Sequence, residues 1–542
     1  CWTVVERRSL PRDAKILRTG WRLLRKRKRG IICRWKARAY CCGYAQLPHE
    51  HYDPHDIASP TPRAATFRMI VATAVERGLT LHSGDTSLAF LHADIDRKMW
   101  IRAFPHGHAI LPEVFSGDKN EVAELHKSLW GLRQASMLFY KEFRGHLVDT
   151  MGFTQSEGDR CLFFRAKDES GQILVDYDPN ENRPGVKVAY LITYVDDVAA
   201  ATTDQETWDE IVKEVQNRFQ FRCEGRLENF LGVEIDHHED GGVILRHRSK
   251  IDRIVDACQV RLENGTVPIK KNPLPDGTQL SKLDDEGELS DEEAAEIAKF
   301  DYRMIIGMLL HTYVWVRPDI GAAMQQLTRV VSTPRMRHIR LVQHLAKYLA
   351  NTRDHGLHYV RGTDRQVDVW VDADYAMCTE TRRSVTGYGI IMCGAAVAWM
   401  SKRQPFISLS STEAELGALR DVCAEILALR KDLALIDPQL ANIRWRVWED
   451  NQAAIAIMEG GGKYESRKHI AVRALWCRSM VGSVIDIHFV GTAEQVADCL
   501  TKCLAAPAHI KHRQVLLNDG VHTHQERRCQ VARLQADPGV RR

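Results

Sequence analysis

Two adjacent aspartates, Asp196-Asp197, close an apolar run made of Val188, Ala189, Tyr190, Leu191 and Ile192. Neighbouring residues on a straight strand point to opposite faces. Two such carboxylates can therefore serve one site only where the strand ends or turns. Val198-Ala199-Ala200 follows at once, so the chain must fold back here, and a hairpin with the acids at its tip is expected. The plainer alternative is a surface turn. A second acidic set is dispersed rather than adjacent: Asp372, Glu415, Asp450 and Asp498 each fall at the edge or inside of an expected helix or strand. Carboxylates brought together in this way suit hard cations with oxygen ligands, and paired ions about 4 Å apart serve phosphoryl transfer.

The chain has 542 residues, too many for one core, so two to four domains are expected. The 44% apolar and 27% charged content argues against wholesale disorder. The longest apolar stretch, 304–316, is interrupted by His311 and Thr312. It falls short of the roughly 18 residues of a membrane span and reads as a buried helix. No signal segment opens the chain, and a start at Cys1-Trp2 suggests a piece of a longer polypeptide. The 14 cysteines have no CxxC pairing, as expected of reduced thiols. Cys41-Cys42 with His49, His51 and His55 is the nearest approach to a zinc cluster. It lacks a second spaced pair, so a polar loop is expected instead.

The net charge is only +4, but it is unevenly placed. Arg25-Lys26-Arg27-Lys28-Arg29 opens a basic region that continues through Arg34, Lys36 and Arg38. This is either a solvated hairpin or a surface for phosphates.

Patterning predicts strands either side of Arg29-Gly30 within 25–43, a helix over 66–76, a strand over 79–85, a mostly helical 128–147 and a strand over 186–196. Residues 168–184 read as a surface loop and 276–293 as an acidic linker. Helices follow over 301–348, with Pro318 able to open a new one. Beyond Arg365 the order is strand (Val367, Val369, Val371, ending at Asp372), strand over 388–393, strand over 396–400, helix from Thr412, strand over 445–448, helix over 452–458, strand over 484–490 and a closing helix over 494–502. That order outlines an RNase H-like domain. The basic remainder beyond about 506 is expected to fray.

Asp85 ends its own strand and precedes Ala89-Phe90-Leu91. It is a candidate third acid for the Asp196-Asp197 site, against the alternative of a helix cap. At this point the chain resembles the reverse transcriptase and RNase H portion of copia-type LTR retrotransposon Pol polyproteins. Asp85-Thr-Ser-Leu-Ala-Phe-Leu, Lys127-Ser-Leu-Trp-Gly-Leu-Arg-Gln-Ala, Tyr194 to Asp197, Phe230-Leu-Gly-Val-Glu, Lys36-Ala-Arg and Arg317-Pro-Asp-Ile carry the resemblance, which runs from Trp2 to about Leu504. It implies a mixed α/β (α+β) chain: a right-hand polymerase with fingers, palm and thumb/connection, followed by an RNase H-like mixed-sheet domain. The implied divisions are fingers and palm over 1–240, a helical thumb/connection over 241–362, the RNase H-like domain over 363–505 and a basic flexible tail over 506–542.

The resemblance further implies that Asp85, Asp196 and Asp197 hold the polymerase metals. Phe90 would exclude a ribose 2′-hydroxyl or simply pack in the core. Gln134 and Tyr194 would lie at the nucleotide or template, with Lys36 and Arg38 on phosphates. Asp372, Glu415, Asp450 and Asp498 would hold the nuclease metals, with Asp374 and Glu413 as nearby rivals. Mg²⁺, two per site, is the implied cofactor, with Mn²⁺ as a substitute. RNA template, DNA primer, RNA–DNA hybrid and deoxynucleoside triphosphates are the implied partners. Integrase of the same polyprotein is a further candidate partner, and no membrane is implied. A cytoplasmic virus-like particle is the expected location, with the nucleus as the alternative.

The chain also departs from the family. Ser136-Met137 replaces Pro-Arg after Gln-Ala, and a second lysine after Lys-Ala-Arg is missing. Gly491-Thr492-Ala493 lacks the histidine of retroviral relatives. His469, in Arg467-Lys468-His469, belongs to a family motif. The expected function is RNA-directed DNA polymerase with ribonuclease H. The alternative is a decayed or domesticated fragment that binds nucleic acid without catalysis.

Overall fold

The computed structural model describes residues 1–28, 31–104, 121–181, 183–281, 287, 289–363, 365–461 and 468–519, without the side chains of 26–28, 31–34, 36 and 468–471. The chain divides into two compact units. The first comprises Cys1–Pro62, His82–Val175 and Gly185–Arg226; the second comprises Arg63–Leu81, Asp176–Pro184 and the chain from Leu227 onward.

The first unit is built on a six-stranded sheet in the order Phe221–Arg226, Thr80–Thr86, Asp197–Thr202, Lys187–Tyr194, Leu162–Lys167, Thr154–Gln155. Its central hairpin pairs Lys187–Tyr194 with Asp197–Thr202, ending at the pair Tyr194↔Asp197. Ala189, Leu191, Val198 and Ala200 share a core with Phe139 and Phe143 of helix Ala135–Gly145 and with Trp208, Ile211 and Val215 of helix Gln205–Gln216. The latter helix starts where the Asp204 side chain accepts from Thr207 N, a standard N-cap.

The helix expected over 128–147 begins only at Ala135. Gly131 has φ 93°, and a Cβ there would come within 2.0 Å of Cys41 O. The chain therefore crosses tightly under Cys41, and Cys41 N donates to Trp130 O. A four-stranded sheet (Trp2–Glu6, Glu121–Leu125, Trp100–Arg102, Ile16–Leu17) and the long hairpin Thr19–Lys28/Ile31–Cys41 complete the unit.

The second unit contains helix Ala64–Arg77, a four-stranded sheet (Asn229–Phe230, Val233–His237, Val243–Arg246, Leu357–Tyr359) and a helical region. In that region Tyr302–Trp315, Gly321–Leu327 and Met336–Asn351 bury Ile305, Leu309, Met324, Leu327, Val342 and Leu345 together. Pro318 does open a new turn, Pro318–Ile320, as expected. Beside it, the fully buried Arg317 makes a two-pronged bond to Asp319, Nε to Oδ1 at 2.8 Å and Nη2 to Oδ2 at 2.7 Å.

The last part of the second unit is a five-stranded sheet in the order Ala395–Arg403, Val385–Met392, Asp368–Asp374, Trp445–Glu449, Ile485–Phe489. The first three strands are antiparallel and the last two run parallel to Asp368–Asp374. The 26-residue helix Ser411–Ile436 buries Leu416, Leu419, Cys423, Ile426 and Leu433. This is the RNase H-like mixed sheet expected from the order of elements.

Two expectations fail at its end. The closing helix predicted over 494–502 is a short turn, Thr492–Glu494, and then a single helical turn, Asp498–Thr501. Between them the buried Gln495 donates from Nε2 to Val371 O (2.9 Å) and accepts from Ala497 N (3.2 Å). These bonds replace helical ones and hold the chain extended.

The tail expected to fray instead forms helix Ala506–Leu517, with His509, His512, Arg513, Leu516 and Leu517 buried. Its basic side chains are anchors rather than solvated charges. Tyr348 O–H donates to Asp319 Oδ2 at 2.6 Å and also pairs with His509 Nε2 at 3.0 Å. A hydroxyl has one proton to give, so His509 Nε2–H must be the donor to Tyr348. Arg513 Nε donates to Asp519 Oδ2. Residues 520–542 lie outside the described chain.

Candidate active sites

In the first unit, the central hairpin turns in two residues, Val195-Asp196, as the apolar run predicts. Val195 takes φ 53°, a conformation that costs a β-branched residue about 1–3 kcal/mol. Asp85 lies next to the end of strand Thr80–Thr86, and Thr86 N donates to Asp196 O at 2.8 Å. That bond ties the strand end bearing Asp85 to the tip bearing Asp196 and Asp197. Asp85 Oδ2 accepts from Arg222 Nη2 at 2.6 Å, with Arg222 about half exposed.

The neighbouring candidates divide. Phe90 lies in the short helix Ala89–His92, edge-on to Trp130 with ring centroids 5.7 Å apart, and is only partly buried. Tyr194 is half-buried at the strand end. Gln134 is 1% exposed. It donates to His51 O (2.9 Å) and Asp96 Oδ1 (3.2 Å) and accepts from Gln46 Nε2 (3.0 Å). It braces the loops around it, and a contact with nucleotide would require those bonds to open. Arg38 lies opposite Arg22 on the long hairpin, and its Nε has no partner. The side chain of Lys36 lies outside the described residues. On the same hairpin Trp35 is 67% exposed, with Arg25 over its ring.

Three acids of the second set converge, and Asp498 lies outside their grouping. Asp372, Glu415 and Asp450 have carboxylate oxygens all within 4.8 Å of one another, the one such grouping among the described residues. Each comes from a different element. Asp372 lies in the central strand and is 2% exposed. Glu415 is in the first turns of the long helix. Asp450 follows strand Trp445–Glu449, where Asn451 caps helix Gln452–Glu459 through its bond from Ala454 N.

The two rivals are placed differently. Glu413 Oε2 accepts from Leu409 N while Ser410 Oγ accepts from Glu413 N, close to a capping box. Asp374 is outside the grouping, and burial pushes its carboxyl up to about 6. Asp498 stands at the start of the last turn, and burial beside Asp372 pushes it up to about 7. Its Oδ1 accepts from Lys502 Nζ at 2.7 Å. Thr492 Oγ1 donates to Asp450 Oδ2 at 2.9 Å, and Thr501 Oγ1 donates to Asp372 Oδ2.

The crowded carboxyls oppose one another's ionisation. Burial, then Glu449, Asp372 and Asp450, push Glu415 well above the usual carboxylate range, and its Oε2 is buried without a partner. Burial and Asp372 also raise Asp450. Clustered carboxylates in a dry site resist ionising together unless positive charge enters. All-oxygen donors and an orphaned oxygen fit a hard divalent ion such as Mg²⁺. Asp85, Asp196 and Asp197 are not drawn together to that degree, although their donor chemistry is the same.

Sequence reasoning missed Glu449, fully buried with Oε2 unpartnered beside Asp450. Strand alternation with Trp445 and Val447 could have found it. It also missed Thr492, Thr501 and Lys502, which carry no motif of their own. The Cys41-Cys42 neighbourhood forms no metal grouping among the described residues. Cys41 is buried, and His51 Nδ1 accepts from Leu47 N. The side chain of His469 lies outside the described residues.

A family profile described as "Reverse transcriptase (RNA-dependent DNA polymerase)" matches residues 1–271. The Pol polyprotein of transposon TNT 1-94 from Nicotiana tabacum is 27% identical over 498 residues, covering 91% of this chain and 35% of its own length. That of transposon RE1 from Arabidopsis thaliana is 26% identical over 485 residues, covering 88% and 30%. The chain thus spans about a third of the length of these curated relatives. A foamy viral protease–reverse transcriptase solved with double-stranded DNA covers 90% of this chain and 80% of its own at 12% identity and TM-score 0.45, too distant to bear on individual residues. With that profile matching half its residues, and plant transposon Pol polyproteins as relatives along most of its length, the chain belongs to the reverse transcriptase (RNA-dependent DNA polymerase) family as a copia-type retrotransposon Pol protein.

Proposed function

We propose that this chain copies RNA into DNA from a primer and cuts the RNA strand of the resulting hybrid. The observation that carries the reading is the convergence of Asp372, Glu415 and Asp450, from three separate elements, within 4.8 Å. A fragment kept only to bind nucleic acid has no use for a costly buried acid cluster. Family membership supports the polymerase half, and the bond from Thr86 N to Asp196 O supports Asp85, Asp196 and Asp197 as one acid set.

Asp85, Asp196 and Asp197 would hold one pair of Mg²⁺ ions, and Asp372, Glu415, Asp450 and Asp498 a second. When bound, such ions supply charge stabilisation at the attacking and leaving oxygens of phosphoryl transfer. The protein's part is positional. The hairpin tip presents Asp196 and Asp197 at the strand end that carries Asp85. Thr501 and Thr492 orient Asp372 and Asp450 by hydrogen bonds, and burial of Glu415 and Asp372 keeps water from competing. Arg25 and Trp35 on one face of the long hairpin, and Arg38 on the other, offer charge to nucleic-acid phosphates and an aromatic ring to bases.

The Arg222–Asp85 bond, like the Ser136-Met137 departure, favours a binder without catalysis. Arg222 is 54% exposed on its side chain, and exposed pairs are worth about 0–1 kcal/mol, so a divalent ion displaces it readily. Primer extension on an RNA template with Mg²⁺ tests the polymerase: Asp196→Asn abolishes extension, and equal extension by both proteins sinks the reading. Cleavage of a labelled RNA–DNA hybrid tests the nuclease in the same way with Asp450→Asn. Phe90→Ala raises ribonucleotide incorporation relative to deoxynucleotides if the ring bars a 2′-hydroxyl. An unchanged ratio with lower stability assigns Phe90 to packing.

A further inference from the structure

Lys502 follows Asp498 by one helical turn, and its ammonium lies 2.7 Å from Asp498 Oδ1 and 3.5 Å from Asp372 Oδ2. One cation thus joins acids from the central strand and the last helical turn. The turn that carries it is clamped on two sides. A Cβ on Gly387 of the neighbouring strand would lie 2.5 Å from Thr501 Cγ2 and 3.1 Å from Ala497 O, and one on Gly321 would lie 3.0 Å from Leu500 Cδ2. Thr501 adds its own bond to Asp372 Oδ2. Lys502 is therefore aimed into the site by its backbone, while 32% of its side chain remains exposed. Its charge is also felt by Glu415, Asp450 and Asp374.

We propose that Lys502 is a resident counter-cation, which holds Asp372 and Asp498 together before metal binds and weakens the site's grip on the divalent ion. The inference rests on the acids being a metal site, as proposed above. An ion entering between Asp372 and Asp498 meets the ammonium within a few ångströms, so the ammonium must swing away along its exposed stem. Removing the charge then has two opposite effects. The metal-free protein loses compensation among crowded carboxylates and becomes less stable. The metal-bound protein loses a repulsion and binds more tightly. A lysine that served packing alone would weaken both stability and metal binding together.

The test uses the full chain carrying Asp196→Asn and Asp197→Asn, so that added metal reports the second acid set. Mn²⁺ is titrated by calorimetry, and melting is followed in EDTA. Lys502→Met lowers the Mn²⁺ dissociation constant on the order of tenfold and lowers the metal-free melting temperature. Adding Asp498→Asn to Lys502→Met restores that temperature, and Lys502→Arg stays near wild type in both measurements. Lys502→Gln, which keeps a hydrogen bond but no charge, gives the same gain in affinity should the methionine variant fold poorly. Unchanged or weaker Mn²⁺ binding by the neutral variants, with normal binding by wild type, overturns the proposal. Wild type that binds no Mn²⁺ and cuts no hybrid overturns the metal-site reading instead.

Discussion

Asp319→Ala is the sharpest test of what holds the helical region to the last helix. Asp319 and Arg317 are both fully buried, and the carboxylate accepts three bonds: two from Arg317 at 2.8 and 2.7 Å and one from Tyr348 at 2.6 Å. Arg317 keeps bonds to Thr352 O and Oγ1, but these are neutral acceptors and leave its charge uncompensated. Removing one partner of a buried pair costs about 3–5 kcal/mol, and Asp319→Ala is expected near 4 kcal/mol. Replacing both, with Arg317→Met and Asp319→Leu, removes the stranded charge and costs less than the single change. A chain of two units does not unfold in two states, so the assay is amide hydrogen exchange read locally. Protection in Met336–Asn351 and Ala506–Leu517 falls by about a thousandfold for a change of 4 kcal/mol, up to the limit set by local opening. A loss below 1 kcal/mol, or a double variant as unstable as the single one, refutes the reasoning.

The other predictions concern the same anchor and the two acid sets. His509, held neutral by burial, drops to about 4 from an ordinary 6.5. Below pH 6.5 the unfolded chain takes a proton that the folded one refuses, so stability falls as pH goes from 6.5 to 4, by roughly 3 kcal/mol; His509→Gln flattens that slope in melting curves. Val195→Gly relieves the left-handed strain and stabilises the hairpin by about 1 kcal/mol, yet lowers primer extension because the tip no longer fixes Asp196 and Asp197. Gly387→Ala drives a methyl into Thr501 and lowers hybrid cleavage, while primer extension stays at wild-type rate; equal loss of both activities counts against it.

Much of the architecture was legible because its signals are local. Period-two alternation located the strand around Val369 and Val371, and the Asp-Asp pair forced a hairpin tip. Glu413 is spent on the helix cap, and both Asp374 and Asp498 fall outside the grouping of Asp372, Glu415 and Asp450. What the sequence left illegible depended on partners far away along the chain. Gln134 looks like a free amide until His51, Asp96 and Gln46 are placed around it. The basic residues after Ala506 look like a solvated tail until Tyr348 appears beside His509. Gln495 stops the expected helix through a carbonyl on Val371, and no pattern within ten residues announces that bond.

The hydrogen bond from Thr501 to Asp372 joins residues 129 positions apart. Entropy opposes the closing of so long a loop, and the central strand must also wait for its parallel partner, Trp445–Glu449, to return across the long helix. The hairpin bearing Asp196 and Asp197, by contrast, closes over two residues. During folding Asp196 and Asp197 can take up their relative positions early, whereas Asp85 must reach them across a long loop, as Asp372, Glu415 and Asp450 must reach one another. A chain interrupted between Asp197 and Asp498 keeps Asp85, Asp196 and Asp197 and lacks part of the second set.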